Sequence, residues 1–158
     1  MENIYFCYYN SPIGILKIHA DNEAITEIKF VHQIDEIELK SNRLNPIINQ
    51  CVEELNEYFT GKRKDFEVKV ALKGTEFQKS VWEKLRNIPY GTVKTYKDIA
   101  ISINNEKAVR AVGNANNKNK IPIIIPCHRV IGKSGKLVGY AGGLDKKEWL
   151  LKHEIEDV

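Results

Sequence analysis

Two periods organise the chain. Leu16, Ile18 and Ala20 alternate with Lys17 and His19, the two-residue period of a half-buried strand. Ahead of them Ile4 to Tyr9 is β-branched and aromatic, and Asn10-Ser11-Pro12 with Gly14 supplies turn chemistry; behind them Ile25 to Val31 reads as a third strand. A meander is the simplest arrangement of the three. From Pro46 the period lengthens, with Ile47, Ile48, Cys51, Val52, Leu55, Tyr58 and Phe59 on one helical face that Thr60-Gly61 ends. That face puts Cys51 in the core. Phe66 to Leu72 returns to a strand-like pattern and leads to Gly74.

Beyond Gly74 the elements are short helices. Thr75 followed by Gln78 is a capping-box signature, and Phe77, Val81, Trp82 and Leu85 give the apolar face of the helix it opens, which Pro89-Tyr90-Gly91 breaks. A helix from about Thr95 to Ile103, the polar corner Asn104-Asn105 and a helix from about Glu106 to Ala115 suggest a helix-turn-helix. In the second of these helices Ala108, Ala111, Gly113 and Ala115 are small, with Arg110 among them, so its backbone can approach a groove closely. Ile121-Pro122-Ile123-Ile124-Ile125-Pro126 is apolar but too interrupted by proline for a long paired strand. A glycine-rich loop or wing follows through Gly143, and a final helix carrying Leu144, Trp149, Leu150 and Leu151 ends at His153-Glu154.

At 158 residues the chain has room for one domain or two small ones, and its composition, 42% hydrophobic and 28% charged, is that of a globular protein. No apolar run approaches the roughly 20 residues a bilayer span needs, and Met1-Glu2-Asn3 does not open a signal peptide, so a cytoplasmic protein with no membrane partner is expected. The net charge of +3 hides an asymmetry: residues up to 70 hold 8 Lys/Arg against 12 Asp/Glu, and those from 71 onward hold 16 against 9. The expected boundary lies where the sign changes, giving an N-terminal scaffold domain over 1–72 and a C-terminal domain over 73–158. Between Glu106 and Asp145 there is no acid, while Lys107, Arg110, Lys118, Lys120, Arg129, Lys133 and Lys136 are present. Such a stretch is the footprint of a face that binds a polyanion.

Cys7, Cys51 and Cys127 match no zinc or CxxC spacing, and a zinc site from Cys7, His19, His32 and Cys51 has no closed-site pattern; no GxxxxGK[ST] or GxGxxG is present. No metal or nucleotide cofactor is expected. Cys127 precedes His128 and Arg129, and cationic or imidazole neighbours lower a thiol into the working range, so Cys127 is the candidate nucleophile. Glu154 is the candidate carboxylate to orient His128.

Pro126-Cys127-His128-Arg129-Val130, preceded by Arg110-Ala111-Val112-Gly113 and Ile123-Ile124-Ile125 and followed by Gly139-Tyr140-Ala141-Gly142-Gly143 and Lys147-Glu148-Trp149-Leu150-Leu151, resembles the methylated-DNA-protein-cysteine methyltransferases, the O6-alkylguanine-DNA alkyltransferases. The resemblance covers roughly 75–155 in order and implies an α/β (α+β) fold, an RNase H-like small sheet plus helix followed by a winged-helix-like helix-turn-helix domain. It implies that Cys127 accepts the alkyl group, that His128 takes the thiol proton through a water, that Glu154 holds His128 and that Asn119 braces the active-site turn. Tyr96 resembles the tyrosine that crowds the target phosphate and donates to the guanine ring, and Arg110 the finger that fills the vacated base stack. Ala111, Gly113, Asn114, Lys107 and Arg129 complete the expected DNA-facing set, and Val130, Tyr140, Ala141 and Lys147 the base pocket.

The implied reaction is a cofactor-free, single-use repair of O6-alkylguanine in double-stranded DNA by a monomer without an obligate protein partner, with O4-alkylthymine a second candidate lesion. Asn116 and Lys120 stand where some relatives have methionine and proline, and neither is expected to supply chemistry. The competing readings are a non-catalytic lesion sensor, whose relatives replace the acceptor cysteine, and a thiol hydrolase, for which a basic helix has no use.

Overall fold

The computed structural model describes residues 5–157, and the predicted strand start at Ile4 lies outside them. The chain separates into two compact units that divide between Ala71 and Leu72.

In the N-terminal unit β1 (Tyr5–Ser11), β2 (Gly14–Ala20) and β3 (Ile25–Val31) form an antiparallel meander. The first pair runs in register from Tyr5 opposite Ala20 to Ser11 opposite Gly14. Gly14, at φ 120°, closes this hairpin, and the Ser11 hydroxyl donates to its carbonyl at 2.7 Å. α1 (Glu36–Leu39) is a single turn that the hydrophobic pattern does not announce, capped by the Asp35 carboxylate, which accepts from the Ile37 and Glu38 N–H groups. α2 (Pro46–Phe59), capped by Asn45, buries Ile48, Cys51, Leu55 and Tyr58, while the sheet buries Leu16, Ile18, Ala20, Ile25 and Ile28.

Phe66 to Leu72 is not the strand its alternation predicts. It pairs with the sheet at a Val70–Ile25 bridge, where Ile25 N–H donates to Lys69 and Ala71 N–H to Ile25. The reason is a competing acceptor: the buried Glu54 carboxylate takes the Glu67 and Val68 N–H groups at 2.9 and 3.0 Å, and with them the ladder bonds a strand would have made.

The C-terminal unit is helical. α3 (Glu76–Arg86) opens with the expected Thr75–Gln78 capping box and buries Val81, Trp82 and Leu85. α4 (Tyr96–Ser102) carries a second box, Thr95 with Asp98. The turn after it passes through Asn104 at φ 58°, a left-handed conformation that asparagine tolerates. α5 (Val109–Asn117) begins three residues later than expected, so Lys107 sits in the turn before it. Trp82 Nε1–H donates to the Ala115 carbonyl at 2.8 Å and ties α3 to α5.

β4 (Lys94–Thr95) and β5 (Val130–Ile131) pair in parallel, a two-residue match that no sequence period reveals. The glycine-rich segment is a loop with one 3-10 turn at Lys133–Gly135, rather than a wing of paired strands. α6 (Leu144–Asp157) runs three residues past the predicted end at Glu154. Among the described residues no helix is long and apolar enough to cross a membrane.

Glu54→Ala is expected to cost about 3 kcal/mol, because it strands two N–H groups that a charged acceptor satisfied. Urea unfolding would record this as a lower midpoint, with a smaller loss in Glu54→Gln, whose amide oxygen still accepts.

Candidate active site

The segment before Cys127 is a tight, fully buried knot. Ile125 N–H donates to Ile121 at 3.0 Å and Cys127 N–H to Ile125 at 2.7 Å. Pro126, at φ −79° and ψ 64°, is the centre of an inverse γ-turn. Ile123 lies at φ 76°, a conformation that costs a β-branched residue about 1 to 3 kcal/mol. Burial outweighs that strain: Ile121, Ile123 and Ile125 are each about 1% exposed or less, and each such side chain contributes about 1.5 to 3 kcal/mol. Asn119 spans the knot, its Oδ1 accepting from Ile121 N–H at 3.0 Å and its Nδ2 donating to the Ile125 carbonyl at 2.8 Å.

The knot delivers a single 3-10 turn, Cys127–Arg129. With three residues per turn, successive side chains leave such a helix about 120° apart, so three consecutive residues serve three directions. His128 Nε2 lies 2.7 Å from Glu154 Oε2, with both side chains 1% exposed or less. The carboxylate accepts the Nε2 proton, which leaves Nδ1 with its lone pair; among the described residues Nδ1 has no hydrogen-bond partner. Burial lowers the His128 pKa, and the Arg129 and Lys147 charges reinforce that against the pull of Glu154, so the imidazole is neutral. Burial pushes the Glu154 carboxyl up, but hydrogen bonds from His128 and Arg129 and the Arg129 charge outweigh it and hold the group well below the usual carboxylate range.

Arg129 was expected to face DNA, and the structure corrects this. It is 6% exposed, donates from Nε to Glu154 Oε1 at 2.8 Å, from a terminal nitrogen to Oε2 at 3.0 Å and from the other to the Ile88 carbonyl at 2.7 Å. A guanidinium fork matched to a buried carboxylate and itself 6% exposed is turned away from any phosphate outside.

The Cys127 thiol also departs from expectation. It is 4% exposed, and burial pushes its pKa up to about 11, with an Asn119 hydrogen bond and the Lys147 charge opposing only in part. The resting group is a thiol, and ionisation needs a proton acceptor. Cys7 is likewise pushed up to about 11 by burial, and burial raises Cys51 further, so neither is an activated alternative.

Around the thiol, Tyr96 Oη and Lys147 Nζ both donate to the Val138 carbonyl, at 2.9 and 2.7 Å, and Lys147 also reaches Gly139 at 3.2 Å. Lys147 is fully buried, its pKa lowered to about 8 by burial despite the opposing influence of Cys127. The Tyr140 hydroxyl is held well above its usual range, first by burial and then by Cys127 and Glu154. Gly139 lies at φ 60°, the left-handed region that favours glycine, and a Cβ there would displace the exposed Asn117 side chain, whose Oδ1 would stand 2.5 Å away. Val130 is buried, whereas Ala141 is exposed.

Asn116, which the sequence marks only as a departure from some relatives with no chemistry expected of it, is built into the site. It is 2% exposed, and its Nδ2 donates to the Cys127 carbonyl at 3.4 Å. A polar residue inside an otherwise apolar helix face was the available signal. On the opposite face of α5, Arg110, Ala111, Asn114, Asn117 and Lys118 are exposed and Gly113 half-buried, a helical stripe with no acid. Among the described residues no group of three or more His, Cys, Asp or Glu is placed to hold a metal ion.

Known proteins are similar to this chain in sequence and fold. The family description "6-O-methylguanine DNA methyltransferase, DNA binding domain" matches residues 76–156, and "6-O-methylguanine DNA methyltransferase, ribonuclease-like domain" matches 4–72. The methylated-DNA–protein-cysteine methyltransferase of Methanosarcina acetivorans is 48% identical over 96% of this chain and 98% of its own length. The constitutive enzyme of that name from Bacillus subtilis is 42% identical over 95% and 94%. The crystal structure of Mycobacterium tuberculosis OGT in complex with DNA superposes with a TM-score of 0.87 at 40% identity, covering 98% of this chain and 95% of that one.

Because His128 in the fold sits below its ordinary 6.5, the unfolded chain takes up a proton first as pH falls. Its contribution to stability is complete above about 6.5 and is lost on acidification below it. Chemical denaturation at pH 7 and pH 5 is expected to show this loss in the wild type and a shallower one in His128→Leu, which leaves the Arg129–Glu154 pair in place.

Proposed function

The chain belongs to the 6-O-methylguanine DNA methyltransferase family, and from that premise we propose that it repairs O6-alkylguanine in duplex DNA by moving the alkyl group irreversibly onto its own Cys127. The observation that carries this reading is a buried thiol beside a neutral histidine whose other nitrogen is held by an ionised carboxylate. A buried sulfur cannot reach an alkyl carbon inside the base stack, so the base must rotate out, at a cost of a few kcal/mol that a damaged pair reduces. The exposed, acid-free face of α5 suits minor-groove approach, with Arg110 filling the vacated stack and Lys107 and Asn114 beside it.

In the reaction the thiol proton passes, through a water, to Nδ1 of His128. Sulfur displaces O6 in line at the alkyl carbon, so one C–S bond forms, one C–O bond breaks, and the electron pair goes to the purine. Tyr96, on leaving the Val138 carbonyl, and the Ala141 backbone N–H donate to the developing anion, which the imidazolium proton finally neutralises. Lys147 and Tyr140 complete the pocket, with the Val130 carbonyl taking the guanine amine. The thioether has no hydrolytic route back to thiol, so each molecule acts once, without cofactor, as a cytoplasmic monomer.

Incubation with duplex DNA containing O6-methylguanine is expected to add one methyl per chain by intact mass, mapped to Cys127 and absent in Cys127→Ser. Tight binding without mass gain would contradict the proposal and favour a lesion sensor; repeated turnover of an ester would favour a hydrolase. Arg110→Ala is expected to slow repair of duplex DNA about 10- to 100-fold, the equivalent of losing part of the flipping energy, and to leave reaction with free O6-alkylguanine unchanged. Equal losses on both substrates would contradict the finger role.

A further inference from the structure

Arg129 has a task that its removal from the DNA face leaves open. Glu154 is 1% exposed, and a carboxylate in such a place gives up its charge unless that charge is compensated. His128 cannot compensate it while remaining a base, because a neutral imidazole brings a hydrogen bond but no charge. Arg129 brings both. Its fork covers both carboxylate oxygens, and a further donor is fixed on the Ile88 carbonyl just beyond α3. The guanidinium lies 5.6 Å from the Tyr90 ring centre, which places an aromatic face beside it. His128 and Arg129, both from the 3-10 turn, act on Glu154, whose charge in turn raises the Tyr140 hydroxyl of the glycine-rich loop; Lys147, from α6 itself, acts on His128 and Cys127.

We propose that Arg129 is a positioning residue that keeps Glu154 ionised and thereby fixes His128 in the tautomer whose Nδ1 is free to take the thiol proton. The proposal rests on the reading of Cys127 and His128 as acceptor and base. A protonated Glu154 would donate to Nε2 instead of accepting from it, the imidazole proton would move to Nδ1, and the base would be lost without any change in the fold. Arg129 thus acts on sulfur at two removes, through a carboxylate and a ring.

The test is nitrogen NMR of 15N-histidine-labelled protein, in which the two ring tautomers have distinct shifts, read beside single-turnover repair of O6-methylguanine in DNA. Wild type is expected to hold the Nε2–H form at pH 7. Arg129→Met and Arg129→Gln are expected to hold the Nδ1–H form there, to repair about 100-fold more slowly, within the usual range for a lost general base, and to regain both tautomer and rate as pH rises. Arg129→Lys, which retains the charge, is expected to keep the Nε2–H form. Neutral variants that keep Nε2–H at pH 7 and lose only thermal stability would overturn the proposal. If neither neutral variant folds, a Lys variant in the Nδ1–H form would overturn it and one in the Nε2–H form would support it. A wild-type protein that transfers no methyl would defeat the functional reading while leaving the tautomer result to stand by itself.

Discussion

A carboxylate buried to 1% exposure is the constraint on which the C-terminal unit is built. Removing Glu154 from water without partners would cost far more than any hydrogen bond returns, so its surroundings are committed to it. Arg129 turns inward, His128 presents Nε2, and α6 must be long enough to carry position 154 to them. The 3-10 turn makes this possible within three consecutive residues. Its threefold geometry sends Cys127, His128 and Arg129 apart, which an α-helix with its four-residue rows would not do as evenly.

The knot ahead of that turn has the same logic at the level of the backbone. A left-handed isoleucine is a poor local conformation, sustained because three isoleucine side chains are buried in the knot and Asn119 is bonded to both sides. Strain of this kind persists only where the surroundings over-determine it. The thiol that emerges is buried and protonated, and the loop beyond Val138 is tied down by Tyr96 and Lys147. Reactivity is therefore withheld from the resting thiol and depends on what the histidine can accept.

Elements with a clean period were legible in the sequence: the meander, α2, and α3 with its capping box each follow from spacing or cap chemistry. The strand expected at Phe66 to Leu72 failed because its N–H groups were taken by Glu54, a competitor from another element that periodicity does not see. Arg129 failed for a related reason. Counting charge along the chain gives the sign of a segment but not the direction of a side chain, and a lone arginine between Ile125 and Ile131 was the sign that this one points inward. Arg110 lies in the same acid-free segment and is exposed, so burial separates two residues that composition could not.

The account stands on one claim: ionised Glu154, acting through His128, supplies the proton acceptor that a thiol held at about 11 lacks. The direct measurement is the single-turnover rate of methyl transfer from O6-methylguanine in DNA as a function of pH, in the wild type and in Glu154→Gln. The account predicts a Gln variant that is slow near neutral pH and approaches the wild-type rate as pH nears 11, where the thiol ionises unaided. A Gln variant as fast as wild type at neutral pH, or one whose rate does not rise with pH, would contradict it.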